Sequence, residues 1–237
     1  MNFSLVIPLF NEEKNIRFLI EEIENSQLVD QGMNEVVLVN NGSQDQSTIV
    51  LDELSQTRKW MSVYHLEKNL NYGGGIQRGI ELAKNDTISF IPGDLQVSIE
   101  DLSRVWVEYQ KQSKIQPSGN FMVKGNRIQR MDKWSTKLVS YVYTFLSNLI
   151  LNLQISDVNG LPKMFSRTLV NLVKGEKQIT FVWDSQLIYT ARRNNWPIFE
   201  IPVSFHARRE GISSWSGKRF KIYFLTIRKM FYIRGLR

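Results

Sequence analysis

Residues 35–45, EVVLVNNGSQD, decide the fold. From Glu35 to Val39 the run carries no polar face, so a strand here is expected to be buried on both sides. That is the habit of parallel sheets covered by helices on each face. The run stops at Asn40-Asn41-Gly42-Ser43, and Asp45 is expected to cap a helix carrying Ile49, Val50 and Leu54. On its N-terminal side, residues 3–8 (FSLVIP) form a short apolar strand ended by Pro8. Asn11-Glu12-Glu13 then open a helix with Ile16, Leu19, Ile20 and Ile23 at helical spacing. On its C-terminal side Met61 to Leu66 reads as a third strand, where His65 is expected to pack. A glycine-rich turn, 69–75 (NLNYGGG), opens a helix with Ile76, Ile80 and Ala83. Residues 87–91 make a fourth strand ending at Pro92-Gly93. Strand–helix alternation to about residue 110 predicts a right-handed, doubly wound α/β layer.

Beyond this layer, Lys111 to Asn120 (KQSKIQPSGN) is polar, contains Pro and Gly, and is expected to be a loop between two halves. Phe121 to Gly125 reads as a strand and residues 133–153 as a long helix. Trp134, Leu138, Tyr141, Val142, Phe145, Leu149 and Leu153 lie on one broad apolar stripe of that helix. Packing into the core is expected, with a face touching lipid or a partner copy as the alternative. Lys163 to Phe165 reads as a strand, 168–173 as one or two helical turns, 181–193 as a helix and 198–203 as a strand. Residues 218–234 combine Phe220, Tyr223, Phe224, Ile227, Met230 and Phe231 with Lys218, Lys221, Arg228, Lys229 and Arg234, the pattern of a basic amphipathic helix lying in a membrane surface.

The 237 residues bear a net charge of +7. After His206 the only acid is Glu210, against nine Lys and Arg, which points to an anionic partner. There is neither an RNP-like nor a helix-turn-helix signature, and the aromatics sit on apolar faces, which argues against nucleic acid. With no cysteine, disulfides and thiolate metal sites are excluded, in keeping with a reducing compartment. The opening residues read as a strand rather than a signal peptide. No apolar run reaches the ~18–20 residues of a membrane span.

The chemistry is expected at the strand ends, because open α/β sheets bind ligands along their carboxyl edge. Residues 87–96, TISFIPGDLQ, deliver Asp94 and Gln96 to that edge, a carboxylate and an amide suited to a hard cation such as Mg²⁺ or Mn²⁺ that would hold a diphosphate. Phe10 and Glu12 follow the first strand, and Asn40-Asn41 the second, where they can read a base. Asn69 and the glycines follow the third, where backbone amides can approach phosphate. The triple glycine lacks GxGxxG spacing, which disfavours a dinucleotide site. His65 and His206 have no partners that would make them ligands or bases.

In their order these motifs resemble glycosyltransferase family 2 of the GT-A fold, and within it the polyprenyl-phosphate, dolichyl-phosphate mannose synthase-like branch. The resemblance runs over nearly the whole chain: VIPLFNEEKNI (6–16), EVVLVNNGSQDQS (35–47), NLNYGGGIQRGIELAKND (69–86), FIPGDLQ (90–96), VKGNRIQR (123–130), DVNGLPKMF (157–165) and ARREGISS (207–214). It implies a mostly parallel central sheet flanked by helices and followed by C-terminal amphipathic helices. Residues 1–206 would be the catalytic domain, with a nucleotide-binding half (1–115) and an acceptor half (116–206). Residues 207–237 would supply an active-site loop and the basic segment. It also implies that Pro8, Phe10, Glu12 and Asn41 contact base and ribose, that Asn69 and Gly73 lie along the donor, and that Asp94 and Gln96 hold the metal. Arg127 and Arg130 would meet phosphate of acceptor or leaving group, and Arg208 and Ser213 would close over the donor.

Two positions depart from the family pattern. Pro92 replaces the first Asp of D-x-D, and Asn41 replaces an Asp that accepts from the base, which brings cytosine into consideration. A hydroxyl acceptor needs a general base, whereas a polyprenyl phosphate attacks as an anion. Asp184 is the first candidate base, with a solvated helix-surface Asp as the plain alternative, and Asp157 the second, with turn capping as its alternative. The expected activity is inverting transfer of a sugar from a nucleoside-diphosphate sugar to a polyprenyl phosphate or lipid-linked glycan. It would occur at the inner, cytoplasmic face of a membrane, by a peripheral protein that is monomeric or pairs through the broad helix stripe. The competing readings are a nucleotidyltransferase that releases pyrophosphate and an inactive membrane-bound binding module.

Overall fold

The structure is a computed structural model and describes residues 1–177, 179–210 and 219–235, with the backbone alone for 219–224. Along the first half run β1 (Phe3–Leu9), α1 (Glu13–Asn25), α2 (Leu28–Gln31), β2 (Met33–Asn40), α3 (Ser47–Ser55), β3 (Met61–His65), α4 (Asn71–Leu82), β4 (Thr87–Phe90) and α5 (Ile99–Ile115). The second half contributes β5 (Met122–Arg130), α6 (Trp134–Leu151), β6 (Lys163–Ser166), α7 (Thr168–Asn171), α8 (Val182–Arg193), β7 (Ile198–Phe205) and α9 (Arg219–Gly235).

The strands form one sheet in the order β3-β2-β1-β4-β6-β5-β7. β3, β2, β1 and β4 are mutually parallel. β6 runs antiparallel to both β4 and β5, and β7 is parallel to β5. The chain builds outward from β1 to β3, then crosses to the other side of β1 to lay down β4. The gap between the ends of β1 and β4 is therefore a topological switch point, where loops diverge and leave a crevice.

Val36, Val37, Leu38 and Val39 are all fully buried, as a two-faced strand requires. Each such side chain contributes about 1.5–3 kcal/mol of burial, an upper estimate. Glu35 is buried too, accepting from Ser4 Oγ at 2.6 Å and from the Lys84 amide at 2.7 Å. On one face Val6 and Pro8 of β1 pair in register with Val37 and Val39 of β2, and α4 packs against both strands. A Cβ on Gly79 would lie 2.3 Å from Val6 Cγ1, so glycine sets how closely α4 approaches.

Several local expectations are corrected. The glycine-rich turn is the first turn of α4, and the Gly73 and Gly74 amides donate to the Ile179 carbonyl. Asp45 is not the cap of α3. Gln46 holds that position, while Asp45 accepts from the Ser47 amide in an Asx turn and from the Glu13 amide in the turn after β1. His65 is exposed at the end of β3, bonded to Asn40 and Asp52. The first half of the expected 111–120 loop is helix, because α5 continues to Ile115 with Tyr109 and Gln112 still on its buried face.

The largest correction concerns α6. Trp134, Leu138, Tyr141, Val142, Phe145 and Leu149, expected in the core, are exposed, Trp134 at 76%. The buried face is instead Ser140, Tyr143, Thr144, Ser147, Ile150 and Leu151. Small and hydroxylated residues let α9 approach closely, and there Met230 contacts Ser147 Oγ. α9 buries Thr226, Met230 and Ile233 and leaves Leu225, Phe231 and Tyr232 outside. No helix of the described residues is long and apolar enough to cross a membrane.

Candidate active site

At the β1/β4 switch point the chain makes two unusual turns. A Cβ on Gly93 would fall 2.1 Å from Leu9 Cδ2, so glycine lets the exit of β4 pass over β1 without displacing the buried Leu9 side chain. Leu95 then adopts the left-handed region at φ 60°, at a strain of about 1–2 kcal/mol for a residue with a Cβ. The Gln96 amide donates to Asp94 Oδ1 at 3.2 Å, which fixes the carboxylate over the crevice. Glu12 arrives from the other side as the residue preceding α1. Its amide donates to Ser47 Oγ, and the flanking contacts of Asn11 with Ser43 and of Glu13 with Asp45 bind the turns after β1 and β2 together.

Arg208 joins the two carboxylates. Its Nη1 lies 2.9 Å from Glu12 Oε1 and its Nη2 2.9 Å from Asp94 Oδ2. A reciprocal pair of bonds places it there: Gln96 Nε2 donates to the His206 carbonyl, and the His206 amide donates to the Gln96 carbonyl. Gln96, expected on a metal, here fastens the 206–208 segment. Glu12 also accepts from Asn15 Nδ2 at 2.6 Å, while the buried Asn15 Oδ1 has no hydrogen-bond partner. Burial pushes the Asp94 carboxyl up against the opposing pull of Arg208. Burial likewise raises Glu12, with Asn15 and Arg208 opposing.

Other donor-side candidates are placed as follows. Asn41 is buried with both ends of its amide engaged: Oδ1 accepts from the Leu70 amide at 2.9 Å and Nδ2 donates to the Asn71 carbonyl at 3.0 Å. An Asp could not make the second bond. An Asn at this position clamps the β3–α4 connection. Asn69 is exposed and accepts from the Asn71 amide. Pro8 and Phe10 are half-buried at the crevice. Ser213 lies outside the described residues.

The second half of the chain holds a lattice of buried ion pairs. Asp157 receives a two-pronged bond from Arg127, at 2.6 and 2.7 Å, and Arg127 also donates to Ser140 Oγ. Burial alone would raise Asp157, but the Arg127 hydrogen bonds and charge, with Lys124, hold its carboxyl well below the usual range. The fully buried Lys124 donates to the Asp157 carbonyl and to Glu200; burial, with Lys163 nearby, lowers its pKa to about 8. Asp184 is not a helix-surface residue. It is 2% exposed, bonded to the buried Lys163 and to the Tyr72 hydroxyl. Arg130, expected on phosphate, pairs with Asp132, and both Arg127 and Arg130 lie over the Phe205 ring. Lys163, Lys124, Tyr72, Asn15 and Glu200 were not singled out in the sequence. The signal available was a lysine next to an apolar run in each case, Lys124 after Phe121-Met122-Val123 and Lys163 before Met164-Phe165.

Among the described residues no group of three His, Cys, Asp or Glu could hold a metal by itself. Asp94 and Glu12 are hard oxygen ligands, and Mg²⁺ is commonly held by one or two carboxylates completed by substrate phosphates. The residues present fit a Mg²⁺ or Mn²⁺ that arrives with a diphosphate.

The profile of the family described as Glycosyl transferase family 2 matches residues 4–173. Among curated proteins, the chain is 25% identical to dodecaprenyl-phosphate galacturonate synthase of Rhizobium johnstonii, over 99% of this chain and 68% of the relative. It is 29% identical to undecaprenyl-phosphate 4-deoxy-4-formamido-L-arabinose transferase of Pectobacterium atrosepticum, over 91% of this chain and 63% of the relative. The chain thus spans about two thirds of the length of these relatives. Among solved structures it superposes with a TM-score of 0.69 on glucosyl-3-phosphoglycerate synthase of Mycobacterium tuberculosis in complex with Mn²⁺, uridine diphosphate and phosphoglyceric acid. That match has 18% identity and covers 100% of this chain and 79% of the other. At that identity the likeness establishes the fold.

Proposed function

The chain belongs to glycosyl transferase family 2, and from that premise we propose that it moves a sugar, with inversion, from a nucleoside-diphosphate sugar to the phosphate of a polyprenyl carrier at a membrane surface. The observation that carries the choice of acceptor is the state of the two candidate bases. Asp157 is held by Arg127 and Asp184 by Lys163, both inside the protein. A hydroxyl acceptor would need one of them to take its proton. A phosphate acceptor needs neither, since its anionic oxygen attacks the anomeric carbon directly as the bond to the diphosphate breaks.

On the donor side, Asp94, with Glu12 beside it, would hold a divalent cation whose chemistry is to neutralise charge on the departing diphosphate. Arg208 supplies a guanidinium matched to phosphate oxygens. Pro8 and Phe10 would lie along the base and Asn69, in the β3–α4 connection, along the donor, whereas the Gly73 amide is already bonded to the Ile179 carbonyl in the first turn of α4.

The exposed α6 face suits a lipid-borne acceptor. Trp134, Phe145 and Leu149 are 76%, 65% and 67% exposed, and α6 contains no acidic residue while Lys133 and Lys137 stand at its start. α9, packed against α6, adds Arg228, Lys229 and Arg234 with no acid. Apolar insertion combined with attraction to anionic headgroups is the physics of in-plane docking. We place this docking on the cytoplasmic side, where nucleotide-sugars and reduced thiols are found together.

The test is turnover with a panel of nucleoside-diphosphate sugars, offering a short polyprenyl phosphate in one arm and the corresponding polyprenol in the other. Sugar transfer to the phosphate alone, with release of nucleoside diphosphate, is expected. Equal transfer to the polyprenol overturns the acceptor assignment. Release of pyrophosphate makes the protein a nucleotidyltransferase instead.

A further inference from the structure

We propose that Arg208 is a built-in cation that competes with the divalent metal for Glu12 and Asp94, so that metal alone is kept out and enters only with a diphosphate that draws Arg208 away. The proposal rests on the assignment of Asp94 as a metal ligand and goes beyond it. One guanidinium spans both carboxylates at 2.9 Å each. Asp94 then has one oxygen on Arg208 and the other on the Gln96 amide, so a cation that would sit between Asp94 and Glu12 meets a guanidinium already bonded to both. Both carboxylates are buried, at 8% and 7% exposure. Two neighbouring ionised acids in such a place need a positive charge beside them.

Arg208 is able to leave. Its side chain is 23% exposed, whereas Arg127 in the ion-pair lattice is 8% exposed. The 206–208 segment is fastened to the body of the site by the Gln96–His206 pair and the Arg208 bonds, and the next residue, Arg209, stacks over the half-exposed Phe18 at 3.7 Å. None of these contacts belongs to the core, so moving Arg208 unpacks no buried apolar surface. A guanidinium makes the same paired bonds to a phosphate that it makes to carboxylates. A diphosphate in the crevice would offer Arg208 an equivalent partner while its accompanying metal satisfies Glu12 and Asp94. The exchange keeps both buried acids neutralised throughout.

Mn²⁺ binding to the full chain without nucleotide tests this, read from the electron paramagnetic resonance signal of free Mn²⁺ with and without inorganic pyrophosphate as the diphosphate. Wild type is expected to bind Mn²⁺ weakly alone and much more tightly with pyrophosphate. Arg208→Gln is expected to bind Mn²⁺ alone about tenfold or more tighter than wild type, since a charged competitor has been removed. Its gain on adding pyrophosphate should shrink accordingly. Arg208→Lys, which can reach one carboxylate at a time, should fall between them and serves should the Gln variant fold poorly. The double variant Asp94→Asn, Arg208→Gln should lose the gained affinity. Equal Mn²⁺ affinity in wild type and both single variants overturns the proposal. The two readings separate cleanly: gained Mn²⁺ affinity without any sugar transfer defeats the enzymatic assignment and leaves the competition standing, and sugar transfer with unchanged Mn²⁺ affinity does the reverse.

Discussion

Glu12 and Asp94 at the β1/β4 crevice, and Asp157 and Asp184 in the second half of the chain, are all buried carboxylates facing a basic residue, yet the two sets are held differently. The crevice pair shares one arginine from a surface segment, and burial raises both carboxyls in spite of it. Asp157 and Asp184 each have a buried partner of their own, Arg127 and Lys163; Arg127 also bonds Ser140 of α6, and the neighbouring Lys124 bonds Glu200 of β7 and the Asp157 carbonyl. A carboxylate under-compensated by its own protein is poised for a cation from outside. One compensated several times over is a structural member. The same residue type serves ligand exchange in one place and rigidity in the other, according to how many partners reach it.

That contrast can be broken most directly through stability. Asp184→Ala strands the buried Lys163 and should lower unfolding free energy by about 3–5 kcal/mol, the usual loss when one half of a buried pair is removed. Arg208→Gln should cost far less, since the residues left behind can take up a proton or a solvent cation. Urea denaturation of both variants decides it, and equal losses would erase the distinction. Asp94→Ala should give the converse result, turnover reduced about 10²–10³-fold, as for loss of a main electrostatic stabiliser, with a much smaller change in melting temperature than Asp184→Ala. Unchanged turnover would remove Asp94 from the metal role.

Acid titration sharpens the comparison by sign. Asp157 has a depressed folded pKa, so its contribution is present above the unfolded value of 3.8 and is lost as pH falls below it toward the folded value. Asp94 is raised above the same reference, so its ionised form disfavours the fold at neutral pH and that penalty is relieved as pH falls through its folded pKa. Thermal melts on the acid side should therefore show a shallower loss of stability in Asp157→Asn than in wild type, and a steeper one in Asp94→Asn. Parallel curves for the three proteins would contradict both assignments. The smallest stability effect is expected on α6. Replacing Trp134, Tyr141 and Phe145 together by Ser should change stability by only about 0.5 kcal/mol per site, as for exposed positions, while abolishing salt-resistant sedimentation with anionic liposomes. Sedimentation that persists in high salt would show that this face does not insert.

Much of the fold was legible because it rests on local pattern. The two-faced apolar run at 36–39 called for a parallel sheet, and Pro92-Gly93 called for a strand end that delivers Asp94. Where reading failed, two structures shared one pattern. α6 has a broad apolar stripe and a narrower one of small hydroxylated residues, and periodicity puts the apolar stripe in the core; Ser140 and Ser147 face inward instead, where α9 packs. Lys111 to Ile115 is polar enough for a loop and remains helix because Tyr109 and Gln112 keep α5 on the sheet. Asn41 could be placed at the crevice but not turned within it, since its partners are the backbone of Leu70 and Asn71.

By itself the sequence determined the alternation of strands and helices, the carboxyl-edge placement of Glu12, Asn41 and Asp94, and the order of motifs that marks the family. Those features follow from steric and burial preferences acting over a few residues. Tertiary structure alone decided which charges neutralise which. Glu12 and Asp94 meet Arg208 across 196 and 114 residues of chain, and Asp157 meets Arg127 across 30. Pairing over such separations depends on where packed elements bring side chains together, and in a low-dielectric crevice that pairing settles whether a carboxylate awaits a cation or already has one.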